Sequence, residues 1–301
     1  MRPTPPLAPM PVMSGPAGAE DFEAPYTLTR PAGPALPFLF ASPHSGSLYP
    51  GSMLEALCVP VMDLRRTEDA FVEELFAAAP AAGASLLAAR YARSVADLNR
   101  DPRELDPSMF DGPPPRTCGM PTARVDAGLG CLPRVAAGGV EIYGRRLTRE
   151  EGEARLAHIH DAYHACLGDE LAALRDTHGH AVLIDCHSMP SVQPGRRALA
   201  DIVLGDRFGA SCDPRLTGRA ERAFRELGFS VARNAPYAGG YTTRRYGKPR
   251  RGVHALQIEI NRGLYMDEHA VERLDGFDDL AEAIEVVIAN LLETALILPK
   301  V

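Results

Sequence analysis

Short apolar runs that end in polar residues recur along the chain, and each has the length of a single strand. Runs of this kind are typical of strands that are buried on both faces of a sheet. The pattern predicts strands at residues 36–42, 84–89, 180–188, 201–206 and 252–262.

Between these strands the apolar positions recur at the spacing of a helix. In the first such segment Phe71, Val72 and Leu75 share one face, and Thr67 is placed to cap it. The pattern predicts helices at residues 67–79, 148–177, 214–228 and 278–296. Strands that alternate with helices predict an α/β fold, here a single domain with a mixed, mostly parallel sheet flanked by helices.

Proline marks two segments that do not follow this alternation. Ten of the 27 prolines lie within the first 37 residues. Residues 1–35 are therefore predicted to form an extended N-terminal arm, ahead of a single domain at residues 36–301. Residues 101–139 are also rich in proline and glycine, and a loop of this length inside a compact domain is usually functional or mobile.

Composition and charge narrow the classes of partner. The formal net charge of the 301-residue chain is −7, which argues against a broad nucleic-acid-binding surface. The sequence has no apolar stretch long enough to span a membrane, and its first residues lack the apolar core of a secretory signal. The six cysteines form no CxxC pair and are interpreted as reduced thiols. We therefore expect a cytoplasmic protein with no nucleic-acid or membrane partner.

Two of the predicted strands deliver a histidine at their ends. His44 follows the first strand in a Ser-Pro-His-Ser-Gly turn, and His187 lies near the end of the strand at 180–188. Asp185 points to the same side of that strand as His187, where a carboxylate can orient a metal-bound imidazole. The alternative for each histidine is a core position bonded to a backbone carbonyl. Their shared placement at strand ends favours a metal site.

A carboxylate is the expected third ligand, because catalytic zinc sites commonly have three protein ligands such as two histidines and an acidic residue. Glu68 or Asp69, at the start of the helix predicted at 67–79, could supply it. Helical geometry turns Glu68 closer to the apolar face. An acidic pair in a first turn also has a structural explanation, because it complements the helix dipole.

The segment Asp-Leu-Asn-Arg at residues 97–100 is suited to binding a carboxylate. Asn99 offers an amide, and the Arg100 guanidinium can form two parallel bonds to one carboxylate. The alternative is a surface arginine that pairs with Asp97 or Asp101.

A polar face interrupts the apolar pattern of the strand at 252–262. Gln257, Glu259 and Asn261 share this face, which is costly to bury unless it lines a site. Glu259 is therefore the candidate general base. A salt bridge to Arg262 or Arg100 is the structural alternative.

Two other segments contain residue types that often carry chemistry. Residues 234–252 are rich in glycine, tyrosine and arginine but contain no phosphate-loop motif, and they are interpreted as a mobile loop that closes over an anionic ligand.

His160 and His164 lie one turn apart on the helix predicted at 148–177. They lack the glutamate of an HExxH motif, so we expect them mostly at the surface.

Together these segments resemble the N-formylglutamate amidohydrolase family. The resemblance runs from about Phe38 to Glu268 and follows six segments in order: SPHSGSLYP, EDAFVEELF, DLNRDP, LIDCHSMP, NAPYAGGYTTRRYG and HALQIEINRGLYMDE. The DLNR element is also similar to that of aspartoacylases, a related group of zinc amidohydrolases. The resemblance implies a zinc-exopeptidase-like α/β fold and hydrolysis of N-formylglutamate to formate and glutamate.

The resemblance also implies roles for individual residues. One zinc ion per chain would bind His44, His187 and, from the alignment of EDAFVEEL, Asp69. Glu259 would activate water, and Asp185 would support His187. A small anionic N-acyl amino acid would be held by Asn99, Arg100, Arg244 and Arg262. Arg245, next to Arg244 in the same loop, could assist. The HxxE spacing of related peptidases is absent, because Ser47 stands three residues after His44.

Two alternatives stay open at this point. One is a zinc hydrolase of a different N-acyl amino acid or of a short peptide. The other is a binding protein that has kept the scaffold and lost catalysis, although the presence of both histidines, Arg100 and Glu259 disfavours it.

Overall fold

The strands of the central sheet were located in a computed structural model that describes residues 22–192 and 199–298. In chain order they are β1 (Tyr26–Thr29), β2 (Phe38–Ser42), β3 (Ser85–Ala89), β4 (Ala181–Met189), β5 (Ile202–Gly205), β6 (Val231–Arg233) and β7 (Val253–Asn261). They form one seven-stranded sheet in the order β1-β3-β2-β4-β7-β5-β6. A small hairpin, β8 (Met266–Asp267) with β9 (Glu272–Arg273), follows β7.

The sheet is mixed and mostly parallel, which confirms the predicted fold class. Four neighbouring pairs are parallel: β2 with β3, β2 with β4, β4 with β7, and β5 with β6. The other two pairs of this sheet, β1 with β3 and β5 with β7, are antiparallel. The carboxyl ends of β2, β4 and β7 therefore meet at one edge of the sheet, where α/β proteins commonly bind their ligands.

Helices cover both faces of the sheet. They are α1 (Gly51–Ala56), α2 (Val61–Arg65), α3 (Val72–Leu75), α4 (Ala123–Asp126), α5 (Arg149–Arg155), α6 (Ala162–His178), α7 (Pro214–Glu226), α8 (Tyr241–Tyr246) and α9 (Phe277–Leu292). A π-helical turn, Leu156–Asp161, joins α5 to α6. Within the described ranges, no helix is both long and apolar enough to cross a membrane.

Two apolar layers hold these helices against the sheet. On one face, Ile184 of β4 and Ile258 of β7 pack with α7 and α9. On the other, Leu183 of β4 packs with Tyr163 and Leu167 of α6. Because side chains alternate along a strand, Asp185 and His187 share the face of Leu183. This face is apolar at the start of β4 and polar at its carboxyl end.

The predicted strands are all present, and β4 is the central parallel strand that its apolar run indicates. The strand predicted at 201–206 forms as β5, although it runs antiparallel to β7. The short strand β1, which lies inside the segment interpreted as an extended arm, was not predicted. Residues 1–21 lie outside the described ranges, so the division into an arm and a catalytic domain stays a prediction.

The helices predicted at 148–177, 214–228 and 278–296 form, the last with a 3₁₀ turn at its end. The prediction of a continuous helix at 67–79 was wrong. Within this stretch α3 is the helical part, and Thr67 does not cap α3. The Asp69 backbone N–H donates to the His44 carbonyl at 3.0 Å, which ties this stretch to the loop after β2. Phe71 then adopts a left-handed conformation with a φ of 67°, so a continuous helix cannot pass through it.

Glu73 of α3 provides a test of how this region depends on pH. Burial raises the pKa of its carboxyl group to about 7, even though Ser45 donates a hydrogen bond to it. Between pH 4.5 and pH 7 the folded state therefore holds a proton that the unfolded state has released, and stability falls as pH rises through this window.

We predict that Glu73→Gln raises the free energy of unfolding at pH 8 relative to the parent by about 1–2 kcal/mol, after a discount for partial exposure, and much less at pH 4.5. Urea denaturation at the two pH values measures this difference. Glu285→Gln, on the exposed face of α9, is the matched control and should show no such dependence. An equal effect of Glu73→Gln at both pH values would contradict the prediction.

Candidate metal centre and active site

Three side chains meet at the carboxyl edge of the sheet and could hold a metal ion. Asp69 Oδ2 lies 3.0 Å from His187 Nδ1 and 3.3 Å from His44 Nδ1. All three side chains are buried, and their potential ligand atoms lie within 4.8 Å of one another. Two imidazoles and a carboxylate are the ligand types that catalytic zinc sites use.

Of the two acidic neighbours, the structure places Asp69 and not Glu68 against the histidines. Glu68 turns away from the histidines: Tyr49 Oη donates to it at 2.5 Å and Arg65 Nε lies 3.5 Å from it. Both residues precede α3 in an irregular turn, so the helical-face argument that favoured Glu68 does not apply. Asp69 is the carboxylate that joins His44 and His187.

Asp69 stays charged although it is buried. Burial alone would raise the pKa of its carboxyl group, but the hydrogen bond with His187 and the nearby His44 imidazole hold that pKa well below its usual value. Arg262 Nη2 donates to Asp69 Oδ1 at 2.8 Å, and Arg93 Nη1 lies 3.6 Å from the same oxygen. The second oxygen, Oδ2, is left facing the two imidazoles.

The ring nitrogens that face away from Asp69 have different partners. His44 Nε2 donates to Asp97 Oδ1 at 2.8 Å, and such a carboxylate fixes the tautomer and the orientation of a metal-binding imidazole. His187 Nε2 lies 3.2 Å from both Asn99 Nδ2 and Asp185 Oδ1, but Asp185 makes no hydrogen bond to any described residue, so its supporting role stays a prediction. Both Nδ1 atoms point to one place beside Asp69 Oδ2.

These observations test whether the residues fit a zinc ion. His44 Nδ1 is buried and makes no hydrogen bond to any described residue, which is a costly arrangement unless the nitrogen has another partner. The donor set, the Asp97 carboxylate bonded to His44 and this unsatisfied nitrogen all fit a bound metal. His44, Asp69 and His187 would be the residues that hold it.

Asp97 is a site residue that the sequence analysis missed. It was considered only as a surface partner for Arg100, but it is buried, bonds to His44, accepts from Arg93 Nη2 at 2.8 Å and accepts from the Asn99 N–H at 2.9 Å. The sequence signal for Asp97 was its spacing of four residues from Arg93, which can indicate an ion pair between the two. This spacing could not indicate the bond to His44, which lies 53 residues earlier.

Glu259 lies beside His187, because these two residues are directly paired in the register of β4 and β7. Burial raises the pKa of its carboxyl group. Gln257 Nε2 donates to Glu259 Oε1 at 2.7 Å, and Gln257 Oε1 accepts from the Gly240 N–H at 3.0 Å. Gln257 therefore holds one oxygen of the carboxylate and connects it to the loop before α8.

Asn99 connects the same loop to the metal centre. Its Nδ2 lies 3.2 Å from His187 Nε2, and its Oδ1 accepts from the Thr242 N–H at 2.9 Å. Gly240 approaches this amide so closely that a Cβ there would lie 2.4 Å from Asn99 Oδ1. Only glycine fits at position 240 while Asn99 keeps this position.

The arginines expected to bind substrate lie in three different settings. Arg100 donates from Nη1 to the Asn99 carbonyl at 3.0 Å. Arg262 is buried, and its three donor nitrogens bond Ser188, Arg66 and Asp69. Arg244 is more than half exposed.

Arg244 and Arg245 line a cleft that is bordered by the residues following Arg100. The cleft has a volume of about 390 Å³, and its lining residues are Asp101, Pro102, Arg103, Tyr241, Arg244 and Arg245. Arg244 Nη2 lies 3.5 Å from Asp101 Oδ2, a distance at which the pairing is weak.

His160 and His164 were expected mostly at the surface, and this was wrong. Both are almost fully buried, and both contact the backbone on either side of Asn99. The loop at 97–100 covers the helix face that carries them, which the pattern within the helix alone does not show.

The support that Asp97 gives to His44 leads to a prediction about metal affinity. Asp97→Asn should lower the affinity for zinc by about 10- to 100-fold, because the amide cannot replace the carboxylate that orients the imidazole. Competition with a chromophoric chelator measures the affinity. Asp176→Asn, an exposed aspartate at the end of α6, is the matched control. Unchanged affinity in Asp97→Asn would show that this carboxylate does not support the metal.

Comparison with known proteins identifies relatives over most of the chain. A family model described as N-formylglutamate amidohydrolase matches residues 36–266. The chain is 37% identical over 268 residues to an N-formylglutamate deformylase of Pseudomonas aeruginosa, a match that covers 87% of this chain and 93% of the relative. A deformylase of the same name from Pseudomonas putida is 34% identical, with coverage of 87% and 92%.

A solved structure gives the same result for the fold. The crystal structure of an N-formylglutamate amidohydrolase from Ralstonia eutropha JMP134 superposes with a TM-score of 0.86 and 36% sequence identity. The superposition covers 91% of this chain and 99% of that one.

Proposed function

Because the chain belongs to the N-formylglutamate amidohydrolase family, we propose that it is a zinc-dependent enzyme that hydrolyses N-formyl-L-glutamate to formate and glutamate. The observation that carries the proposal is the convergence of His44, Asp69 and His187 at the end of the sheet, with Glu259 paired beside His187. We keep the cytoplasm as the expected compartment.

The proposed reaction needs an electrophile and a general base, and these roles would fall to bound zinc and to Glu259. Bound zinc would supply Lewis-acid polarisation of the formyl carbonyl and a lowered pKa of water, to about 7. Glu259 accepts a proton from the attacking water and later donates it to the leaving amine. Burial raises the pKa of Glu259, which makes the carboxylate a stronger base than an exposed one.

Arg93 is suited to stabilising negative charge that develops during the reaction. Its guanidinium lies at the site, bonded to Asp97 and near Asp69, and about a quarter of its side chain is exposed. Preorganised cations of this kind require no reorganisation when the transition state forms.

Substrate recognition is assigned to the region around Asn99. The Asn99 amide and the Arg244 guanidinium would bind the carboxylates of the substrate, and this alignment turns a bimolecular encounter into an oriented one. Arg100 sits next to this region. The substrate-binding role expected for Arg262 stays a prediction, since its described bonds support instead a role in holding Asp69.

Two other functions remain in competition. A hydrolase of another N-acyl amino acid or of a short peptide would use the same metal centre. A binding protein without activity would bind such compounds and leave them intact.

The first experiment measures metal content and formate release together. We expect about one zinc ion per chain by plasma mass spectrometry and release of formate from N-formyl-L-glutamate. His187→Ala should lose both, because it removes a ligand, whereas His178→Ala at the far end of α6 should keep both. Stoichiometric zinc in His187→Ala would contradict the metal assignment.

A substrate panel separates the competing functions. Zinc without formate release, but with hydrolysis of N-acetyl or peptide analogues, would retain the hydrolase and change the substrate. Zinc with binding but no turnover of any analogue would favour the binding protein.

The role of Glu259 can be tested apart from metal binding. Glu259→Gln should lower kcat by about 10²- to 10⁴-fold while zinc content stays near one per chain, because the amide cannot accept the proton. Gln257→Leu should lower kcat by a smaller factor, about tenfold, since Glu259 would keep its charge but lose its orientation. Glu272→Gln in the exposed β9 strand is the control. Full activity in Glu259→Gln would remove Glu259 from the mechanism.

A further inference from the structure

Two buried histidines lie close to the site, and the mechanism above does not use them. His160 belongs to the π-helical turn Leu156–Asp161, and His164 to the first turn of α6. Their rings are adjacent, with centroids 4.5 Å apart. π-Helical turns are rare in proteins and occur frequently at functional sites.

These histidines bond the backbone on both sides of Asn99. His164 Nε2 donates to the Leu98 carbonyl at 2.8 Å, and His160 Nε2 donates to the Arg100 carbonyl at 3.1 Å. A carbonyl can only accept, so Nε2 of each ring must carry the hydrogen. The two peptide groups that flank Asn99 are thus held by one helix.

The other side of the His164 ring contacts α8. The Tyr246 hydroxyl donates to the His164 carbonyl at 3.0 Å and lies at the same distance from His164 Nδ1, and the two rings stack with their planes 15° apart. Burial lowers the pKa of His164 to about 3, so the ring is neutral and Nδ1 is an acceptor. Tyr246 ends α8, and the Thr242 N–H of the same helix donates to Asn99 Oδ1.

The contacts therefore form a closed circuit around Asn99. His164 fixes its backbone through Leu98, and Tyr246 and Thr242 link the same histidine to its side-chain oxygen through α8. The remaining atom, Asn99 Nδ2, faces His187 and the centre. Each group in the circuit restricts where this amide nitrogen can lie.

We propose that His164, assisted by His160, is a positioning residue that holds the Asn99 amide in place for substrate binding. The proposal rests on the function proposed above, in which Asn99 binds a carboxylate of the substrate. His164 does not touch the substrate, and it acts only through Asn99 and α8.

The experiment compares two substitutions at position 164. His164→Leu removes the bond from the ring to the Leu98 carbonyl and the polar contact of Nδ1 with Tyr246, whereas the bond from the Tyr246 hydroxyl to the backbone carbonyl at position 164 can remain. His164→Gln keeps a donor near the position of Nε2. We expect His164→Leu to lower kcat/KM for N-formyl-L-glutamate at least tenfold, mainly through KM, with zinc content unchanged. His164→Gln should recover to within about threefold of the parent. His158→Leu, the same substitution on the exposed side of the π-helical turn, should stay within twofold.

A double-mutant cycle tests whether the effect passes through Asn99. In an Asn99→Ala background His164→Leu should cost no more than about twofold, because the group that it positions is already absent. Independent, multiplicative losses would overturn the proposal, as would an unchanged KM in His164→Leu or a His164→Gln variant as impaired as His164→Leu. If His164→Leu does not fold, Tyr246→Phe takes its place in the cycle. Its smaller rise in KM should also vanish without Asn99, and no rise at all would count against the proposal.

Hydrogen exchange separates this proposal from the proposed function. The Thr242 amide should exchange at least tenfold faster in His164→Leu than in the parent or in His158→Leu, a result that needs no turnover. Equal exchange rates would overturn the positioning role even if the enzyme is active. A parent protein that cleaves no N-acyl amino acid would overturn the function, while the exchange rates would still report on His164.

Discussion

The burial of the Asp69 charge is the constraint on which the site depends. A carboxylate removed from water is unstable unless cations or hydrogen-bond donors compensate it on every side. Here Arg262 contacts one oxygen of Asp69, and the imidazoles of His44 and His187 contact the other. Each of these side chains therefore has a defined position around the Asp69 carboxylate. The loop after β2, the turn before α3, the end of β4 and the segment after β7 are brought together by this one requirement.

The sheet register supplies the second half of the arrangement. Parallel pairing of β4 with β7 sets His187 opposite Glu259 and Asp185 opposite Gln257, with the first and second pairs one pleat apart on the same face. The two polar pairs are tolerated on a central strand because each has partners in the loops above the sheet. A slip of one residue would bury these groups among apolar side chains on the other face.

The sequence allowed the sheet and the two histidines to be predicted, because continuous apolar runs and polar residues at their ends are local signals. It did not decide between Glu68 and Asp69, because that choice depends on a backbone bond from Asp69 to His44 and on a left-handed Phe71. Asp97 and His164 were misjudged for a related reason. Their partners are distant in the chain, and no pattern within either segment reports a surface that another loop covers.

The π-helical turn between α5 and α6 constrains the length of the chain as well as its residues. One residue advances a regular α-helix by about 100°, so a helix with one residue fewer here would present α6 to the sheet in a different rotational phase from α5. The wide turn lets Gly152 pack on Phe110 while Leu167 still faces the sheet. Deletion of one residue in this turn would disrupt either the packing of Gly152 on Phe110 or that of Leu167 on the sheet. Such a deletion is therefore more destabilising than most substitutions in the turn.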